Sequence, residues 1–207
     1  MPISNLSRFT VPLASNQSSP TQGLLMPKLS YRFRVSLDNF GVTSPRSEIT
    51  KQVISAARPN VSFDQITLET YNSRVYMAGK HSWQPVQIVV RDDVGGNVTK
   101  LIGEQLQKQT DFLEQASAAS ASDYKFTTRM EMLDGGNGNQ GAAPRVLETW
   151  ELNGCYLESV NYGETNYGTN DALTITLSIR YDNALQTPLG SGLGTAITRT
   201  IGTLSTQ

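Results

Sequence analysis

Residues 173–181 read LTITLSIRY, and this stretch decides the fold class of the chain. Apolar side chains recur at every second position, with threonine, serine and arginine between them. Because successive side chains of a β-strand point to opposite faces, this alternation predicts a strand with one buried face and one face in water. Before this stretch in the chain, the sequence predicts strands over residues 31–37, 61–71, 74–77, 83–91, 125–133, 145–153 and 155–161.

One segment departs from the strand pattern. Over residues 97–116 the apolar side chains fall three or four positions apart, which predicts an amphipathic helix with Asn97 as its N-cap. Strands and helices do not alternate along the chain, which argues against a parallel α/β architecture. The sequence therefore predicts a mainly β protein: an antiparallel β-sandwich or open barrel, with the one helix covering an open end or face.

The ends of the chain differ from its middle. We predict an extended N-terminal arm over residues 1–28, a β domain over 29–184 and a Gly/Thr/Ser-rich tail over 185–207. Arms of this uncharged composition either order against a neighbouring subunit or stay unordered, and both alternatives remain open. We find no continuous apolar stretch typical of a signal peptide or a membrane span, so we expect assembly in the cytoplasm without a membrane anchor.

Composition argues against several function classes. The 207 residues include 17 Lys plus Arg and 18 Asp plus Glu, a balance that argues against a dedicated basic nucleic-acid binder. A single Cys and a single His exclude a disulfide framework and a two-His metal site. We expect His81 to be solvated and Cys155 to be a small buried residue. Glu148 and Glu151 point to opposite faces of one strand, so they cannot act on one bond. We therefore expect no catalytic residues, no metal site and no cofactor.

Two stretches carry a family resemblance. Residues 66–93, ITLETYNSRVYMAGKHSWQPVQIVVRDD, hold a long hairpin with an Asn72-based tip, a Trp-containing strand and a polar loop that opens a helix. Residues 145–183 hold a second Trp-containing strand, a turn at Asn153-Gly154 and the closing strand that continues to YDNA. In pattern and order these elements resemble the tail tube protein of contractile-tailed bacteriophages, which is related to the tube proteins of pyocins and type VI secretion systems.

The resemblance implies a structural role and no enzymatic one. Subunits of this family form homohexameric rings whose sheets join into one ring-shaped β-barrel. The rings stack into a hollow tube that conducts the genome and the tape-measure protein into the host. It also implies a sheath protein, a baseplate hub and a tail terminator as partners, DNA only in transit, and a location in the tail of the virion.

Alternation and resemblance together assign the candidate surfaces. The hairpin residues Ile66, Leu68, Val75 and Met77 are expected to pack on the domain core. The opposite faces are expected to line the channel, and the hairpin tip to contact another subunit or ring. The candidate lumen-facing residues are Gln65, Thr67, Glu69, Thr127, Arg129 and Glu131, and the candidate hairpin contacts are Tyr71, Asn72, Ser73 and Arg74.

Three alternatives stay open at this point. The chain could be the tube protein of a bacterial contractile injection system, which has the same architecture and a different cargo. It could be a β-sandwich baseplate or carbohydrate-binding module, which requires clustered exposed aromatic side chains. It could also be an enzyme whose acid pair comes from distant strands.

Overall fold

A computed structural model describes residues 28–42, 47–134, 146–168 and 170–188. They form eleven strands and three helices: β1 (Phe33–Asp38), α1 (Ser47–Gln52), β2 (Val53–Ala56), β3 (Val61–Thr70), β4 (Ser73–Trp83), β5 (Val86–Arg91), α2 (Asn97–Gln109), β6 (Thr110–Asp111), β7 (Ala116–Ser117), α3 (Ala121–Tyr124), β8 (Phe126–Leu133), β9 (Val146–Asn161), β10 (Thr174–Arg180) and β11 (Asn183–Pro188). The prediction of a mainly β protein is confirmed. The short helices α1 and α3 were not predicted.

Seven strands form one antiparallel sheet in the order β1-β8-β9-β10-β5-β2, with β11 alongside β9. The 16-residue strand β9 belongs to both halves of this sheet: its first part pairs with β8 and β11, and its second part with β10. Strands β1 and β2 lie at the two ends of the order and do not pair with each other in the described part of the chain. This open antiparallel arrangement confirms the predicted fold class.

The predicted turn at Asn153-Gly154 is wrong, because β9 runs through both residues without a break. Gly154 has a φ of +70°, a left-handed conformation that favours glycine. A Cβ atom there would lie 2.1 Å from a carboxylate oxygen of Asp182. Opposite it, the β8 pairing passes from Leu152 to Cys155 with one extra residue on β9. The glycine therefore marks a β-bulge, which redirects β9 from one half of the sheet to the other.

The core forms between the two halves of the sheet, as the alternation predicts. Ile175, Leu177 and Ile179 of β10 are buried, and the residues between them are partly exposed. The same alternation on the other strands and on the inner face of α2 buries Val35, Leu37, Val86, Ile88, Val90, Phe126, Met130, Leu152, Leu157, Val98, Leu101 and Ile102. The apolar area that these side chains remove from water stabilises the fold.

Helix α2 ends at Gln109, seven residues before the predicted end at 116. The carboxylate of Asp111 accepts a hydrogen bond from the N–H of Leu113 at 2.9 Å, which holds the chain in a turn instead of a further helical turn. Phe112 and Leu113 keep the apolar spacing of a helix, yet their side chains are 64% and 92% exposed. The spacing was therefore misleading beyond Gln109.

The start of α2 is also capped differently from the prediction. Asn97 is the first helical residue and Gly96 is the N-cap. The carboxylate of Asp93 accepts the Val98 N–H at 3.1 Å and the Asn97 side-chain amide at 2.9 Å. The Val98 hydrogen bond lowers the pKa of Asp93. Asp93 therefore satisfies one of the free N–H groups in the first turn of α2, a role that the prediction gave to the side chain of Asn97.

Strand β11 pairs with β9 as far as Pro188, so the predicted boundary at residue 184 falls inside a strand. Residues 1–27, 135–145 and 189–207 lie outside the described part of the chain. The arm over 1–28, and the tail beyond Pro188, therefore stay predictions.

Candidate assembly surfaces

Strands β3 and β4 form the predicted hairpin, and each pairs only with the other within the described residues. The strands have ten and eleven residues, which gives a length of roughly 30 Å at about 3.3 Å per residue. At the base, the Gln84 N–H donates to the Asn60 carbonyl at 2.9 Å, and Trp83 packs on Tyr181 with ring centroids 5.6 Å apart. Beyond the base almost every hairpin residue is exposed, so the hairpin projects from the sheet.

One face of this hairpin is apolar. Ile66 opposes Met77 and Leu68 opposes Val75 across the two strands. The expectation that these four residues pack on their own domain core is wrong, because between 47% and 51% of each remains exposed. An exposed apolar surface of this kind is a candidate interaction site. We call Ile66, Leu68, Val75 and Met77 the hairpin apolar face.

The other hairpin face is polar. It carries Gln65, Thr67 and Glu69 on β3, with Tyr76 and Arg74 opposite the last two. Glu69 and Arg74 form an ion pair at 2.9 Å, and the Gln65 amide donates to the Thr67 hydroxyl at 3.2 Å. These residues share one face, as predicted. Their assignment to a channel lumen stays a prediction.

The hairpin tip projects furthest from the sheet. Tyr71 is fully exposed, and the Thr70 hydroxyl donates to the Ser73 carbonyl at 2.6 Å across the turn. Asn72 lies within the turn, Ser73 begins the return strand, and the guanidinium of Arg74 donates to Glu69. The structure brings Tyr71, Asn72, Ser73 and Arg74 together, while their role as a contact between copies stays a prediction.

The second candidate surface is the outward face of the half-sheet formed by β1, β8, β9 and β11. Thr127, Arg129 and Glu131 point outward from β8, as predicted, while Phe126, Thr128 and Met130, which alternate with them, are buried. These three residues lie on one strand of the seven-stranded sheet, whereas the hairpin residues lie in the separate β3-β4 sheet. A channel lined both by the hairpin residues and by these β8 residues therefore requires a wall to which more than one copy contributes.

Sequence reasoning missed how the charges on this second surface are paired. Each ion pair joins side chains that are distant along the chain, so only the register of the strands reveals it. The pairs are Arg34 Nε to Glu131 Oε2 at 2.7 Å, Arg129 Nη2 to Glu151 Oε2 at 3.8 Å, and Lys125 Nζ to Asp182 Oδ2 at 2.5 Å. The Asp182 hydrogen bond raises the pKa of Lys125. We call these six residues the paired-charge face.

A cleft of about 770 Å³ separates the two open ends of the sheet. Phe33, Val53, Ile54, Met130 and Trp150 give it a mainly apolar lining. Strand β1 pairs only with β8, and β2 only with β5, among the strands described. Each end strand therefore has one backbone edge without a strand partner, which is the usual site of further strand pairing.

A buried carboxylate links both ends of the described chain. Glu148 is 3% exposed and pairs with Lys28. Its Oε1 accepts hydrogen bonds from Trp150 Nε1 and Gln186 Nε2, both at 2.7 Å. Burial by itself raises the pKa of Glu148, but the hydrogen bonds from Lys28, Gln186 and Trp150 outweigh burial and hold that pKa below its ordinary value. Sequence reasoning recognised this residue only as a surface or catalytic carboxylate.

The structure places the side chains that the sequence analysis considered for catalysis. Cys155 is fully buried, as predicted, and its thiol donates to the Leu152 carbonyl at 3.2 Å. Burial raises the pKa of Cys155 to about 11. His81 is exposed, as predicted, with its ring centroid 6.2 Å from that of Trp83. Glu148 is buried while Glu151 is exposed by 40%, so these two carboxylates do point to opposite faces.

We expect Cys155 to resist a thiol reagent until the chain unfolds. The thiolate is the reactive form, and both burial and the raised pKa suppress it. At pH 8, labelling by a disulfide reagent should be at least about 100-fold slower for the folded chain than for the urea-unfolded chain, as measured by absorbance of the released thiol. Similar rates in the two states would contradict the buried placement of Cys155.

Within the described residues, no group of three or more His, Cys, Asp and Glu side chains is placed to hold a metal ion. Of the helices described, none is long and apolar enough to cross a membrane.

The comparisons with known proteins find similarity in fold but none in sequence. The sequence matches no protein-family model and no curated protein. A chain in the cryo-EM structure of the anti-feeding prophage baseplate is similar with a TM-score of 0.58 and 14% identity, over 81% of this chain and 100% of that chain. A chain of the anti-feeding prophage tube-terminating cap is similar with a TM-score of 0.57 and 14% identity, over 80% of this chain and 94% of that chain. A chain of the PVC sheath-tube complex, from an extracellular contractile injection system, is similar with a TM-score of 0.52 and 18% identity, over 78% of this chain and 92% of that chain.

Identities this low show the fold alone. The sequence-based resemblance was to a tube protein of contractile tails, and the similar chains come from contractile injection assemblies. The chain therefore has a tail-tube-like fold, which confirms that resemblance.

Proposed function

We propose that the chain is the structural subunit of a phage tail tube. Homohexameric rings of the subunit stack into a hollow conduit for the genome and the tape-measure protein. The observation that carries this proposal is the projecting hairpin, whose apolar face no described part of the same chain covers. A second copy of the subunit covers this face. Because the copies are identical, the same contact repeats from copy to copy and builds rings and stacks.

The open sheet supports ring formation. Among the described strands, β1 and β2 each have one edge without a strand partner, and the cleft between them has a mainly apolar lining. Pairing these edges with neighbouring copies closes the sheets into one barrel and removes edges that otherwise favour aggregation. Six copies per ring agree with the six-fold symmetry of the anti-feeding prophage baseplate, to which the fold is similar.

The polar surfaces suit the wall of a channel. We assign Gln65, Thr67, Glu69, Thr127, Arg129 and Glu131 to the lumen, where uncharged and ion-paired side chains present few free cations to a polyanion. In this role the chain is not an enzyme. Its partners are further copies, a sheath protein, a tape-measure protein, a baseplate hub and a tail terminator, and its location is the tail of the virion. Similar chains in a sheath-tube complex and in a tube-terminating cap support the sheath and terminator contacts.

A subunit of a bacterial contractile injection system is the second candidate. A specific observation favours it: one similar chain belongs to the sheath-tube complex of an extracellular contractile injection system. The tube is the same in both candidates and the cargo differs. Particles purified from producing cells separate the two, because a phage particle contains packaged DNA and an injection particle does not.

Negative-stain electron microscopy of the purified, concentrated full chain tests the tube itself. Six-fold rings or hollow tubes are the expected result. Particles assembled in producing cells, with the chain located by gold-labelled antibody, provide a second sample in case assembly requires a baseplate. Discrete monomers in the first sample, together with no label on tubes in the second, would overturn the proposal. Glycan binding by those monomers would favour a carbohydrate-binding module.

A further inference from the structure

Every basic side chain on the outward face of β1 and β8 is already engaged within the described residues. Arg34, Arg129 and Lys125 each contact a carboxylate from a neighbouring strand or turn, as described for the paired-charge face. Just before β1, the Arg32 guanidinium donates to the Asp134 carbonyl at 2.5 Å and lies over the Tyr31 ring. Of the outward positions between the pairs, Leu185 is apolar and Asp38 at the end of β1 adds a negative charge. The others are neutral and polar: Ser36, Thr127, Thr149, Asn153, Asn183 and Thr187.

These ion pairs add little to the stability of the fold. The arginines of the paired-charge face are 44% to 50% exposed, and exposed ion pairs contribute little to folding stability. Free guanidinium groups, in contrast, bind phosphate strongly and often through two hydrogen bonds. Each phosphate contact also releases counterions and adds to the affinity for DNA. A carboxylate that occupies the guanidinium must be displaced before a phosphate binds there.

We propose that Glu131, Glu151 and Asp182 are cargo-selectivity residues, which occupy Arg34, Arg129 and Lys125 and so keep the paired-charge face from holding duplex DNA. This inference rests on the proposed function for its biological setting. Its chemistry requires only the pairs on one subunit. It extends the assignment of Arg129 and Glu131 to the lumen, because it gives the acidic residue of each ion pair a different role from the basic residue.

The test compares two doubly substituted full chains with the same change in net charge. E131Q/E151Q frees Arg34 and Arg129. The matched control E164Q/D171N neutralises two exposed loop carboxylates and frees no basic side chain of the described residues. Binding of a fluorescent 20-base-pair DNA duplex is measured by anisotropy on dispersed chains at about 50 mM salt. We expect E131Q/E151Q to bind at least about 10-fold more tightly than the wild type, with a salt slope steeper by about 2 from two phosphate contacts. The control should stay within about 2-fold of the wild type.

A rescue variant identifies the groups that bind. Adding R34Q/R129Q to E131Q/E151Q should return the affinity and the salt slope to the wild-type values. An equal gain in the control pair, no gain in E131Q/E151Q, or a gain that survives R34Q/R129Q would each overturn the inference. Since dispersed chains are used, these outcomes are independent of whether tubes form, so failure here and failure of the tube proposal are distinguishable.

Discussion

L68S/V75S chains are expected to form neither rings nor tubes, while their Tm stays close to that of the wild type. These two residues oppose each other on the hairpin apolar face and are each about half exposed in the single chain. Completing the burial of one such side chain contributes about 1 kcal/mol, so the pair weakens each contact between copies by about 2 kcal/mol, or roughly 30-fold. Because every subunit repeats this contact, the loss multiplies around a ring and along a stack.

The matched control for this prediction is V94S/L113S. It makes the same two chemical changes at fully exposed positions outside the hairpin. Electron microscopy and sedimentation velocity compare assembly, and circular dichroism compares Tm. The control should assemble as the wild type does. Loss of assembly in both variants, or unchanged assembly in L68S/V75S, would contradict the assignment of the hairpin apolar face to a contact between copies.

Replacing Glu148 by alanine is expected to give the second large effect, on stability. The substitution leaves Trp150 Nε1 and Gln186 Nε2 without their acceptor and releases Lys28. Partly buried donors left unpaired cost about 2–3 kcal/mol together, which corresponds to a fall in Tm of roughly 4–12 °C for a chain of this size. E148Q keeps one oxygen acceptor and should lose only about 1 kcal/mol. Urea titrations measure both values.

The same carboxylate gives stability a defined pH dependence. The pKa of Glu148 in the folded chain lies below its ordinary value of 4.5. Stability from the ionised carboxylate is therefore fully present above about pH 4.5 and is lost as the pH falls through the lower folded pKa. The difference in unfolding free energy between wild type and E148Q should shrink over that range. A difference that stays constant from pH 6 to pH 3 would show that Glu148 is not held in its ionised form by these partners.

The sequence predicts the strands of this fold well, because burial of one face requires an apolar side chain at every second position, as at Ile175, Leu177 and Ile179. It predicts the helix end poorly. Phe112 and Leu113 continue the helical spacing, and only the Asp111 side chain, which stabilises a turn, marks the true end. Gly154 illustrates the same limit, since Asn-Gly signals a turn or a bulge, and only the partner strands decide which.

The candidate surfaces were predictable in part. Alternation places Thr127, Arg129 and Glu131 on one face without any knowledge of their neighbours. The partners of those charges were not predictable, because Arg34 and Glu131 are 97 residues apart in the chain. The exposure of the hairpin apolar face was also not predictable, since alternation tells which side chains share a face and not what that face contacts.

Strands β9 and β10 follow in sequence the strands that they join, which sets an order for folding during synthesis. Strand β8 has β1 on one side and β9 on the other, and β5 reaches the rest of the sheet only through β10. Until residues 146–180 leave the ribosome, the pairs β1–β8 and β2–β5 have no strand that joins them into one sheet. The hairpin needs neither β9 nor β10, because its two strands are adjacent and complete as soon as residue 83 is made. The projecting hairpin is thus the first element that has all its described backbone partners, and the sheet is joined only after residue 180 is made.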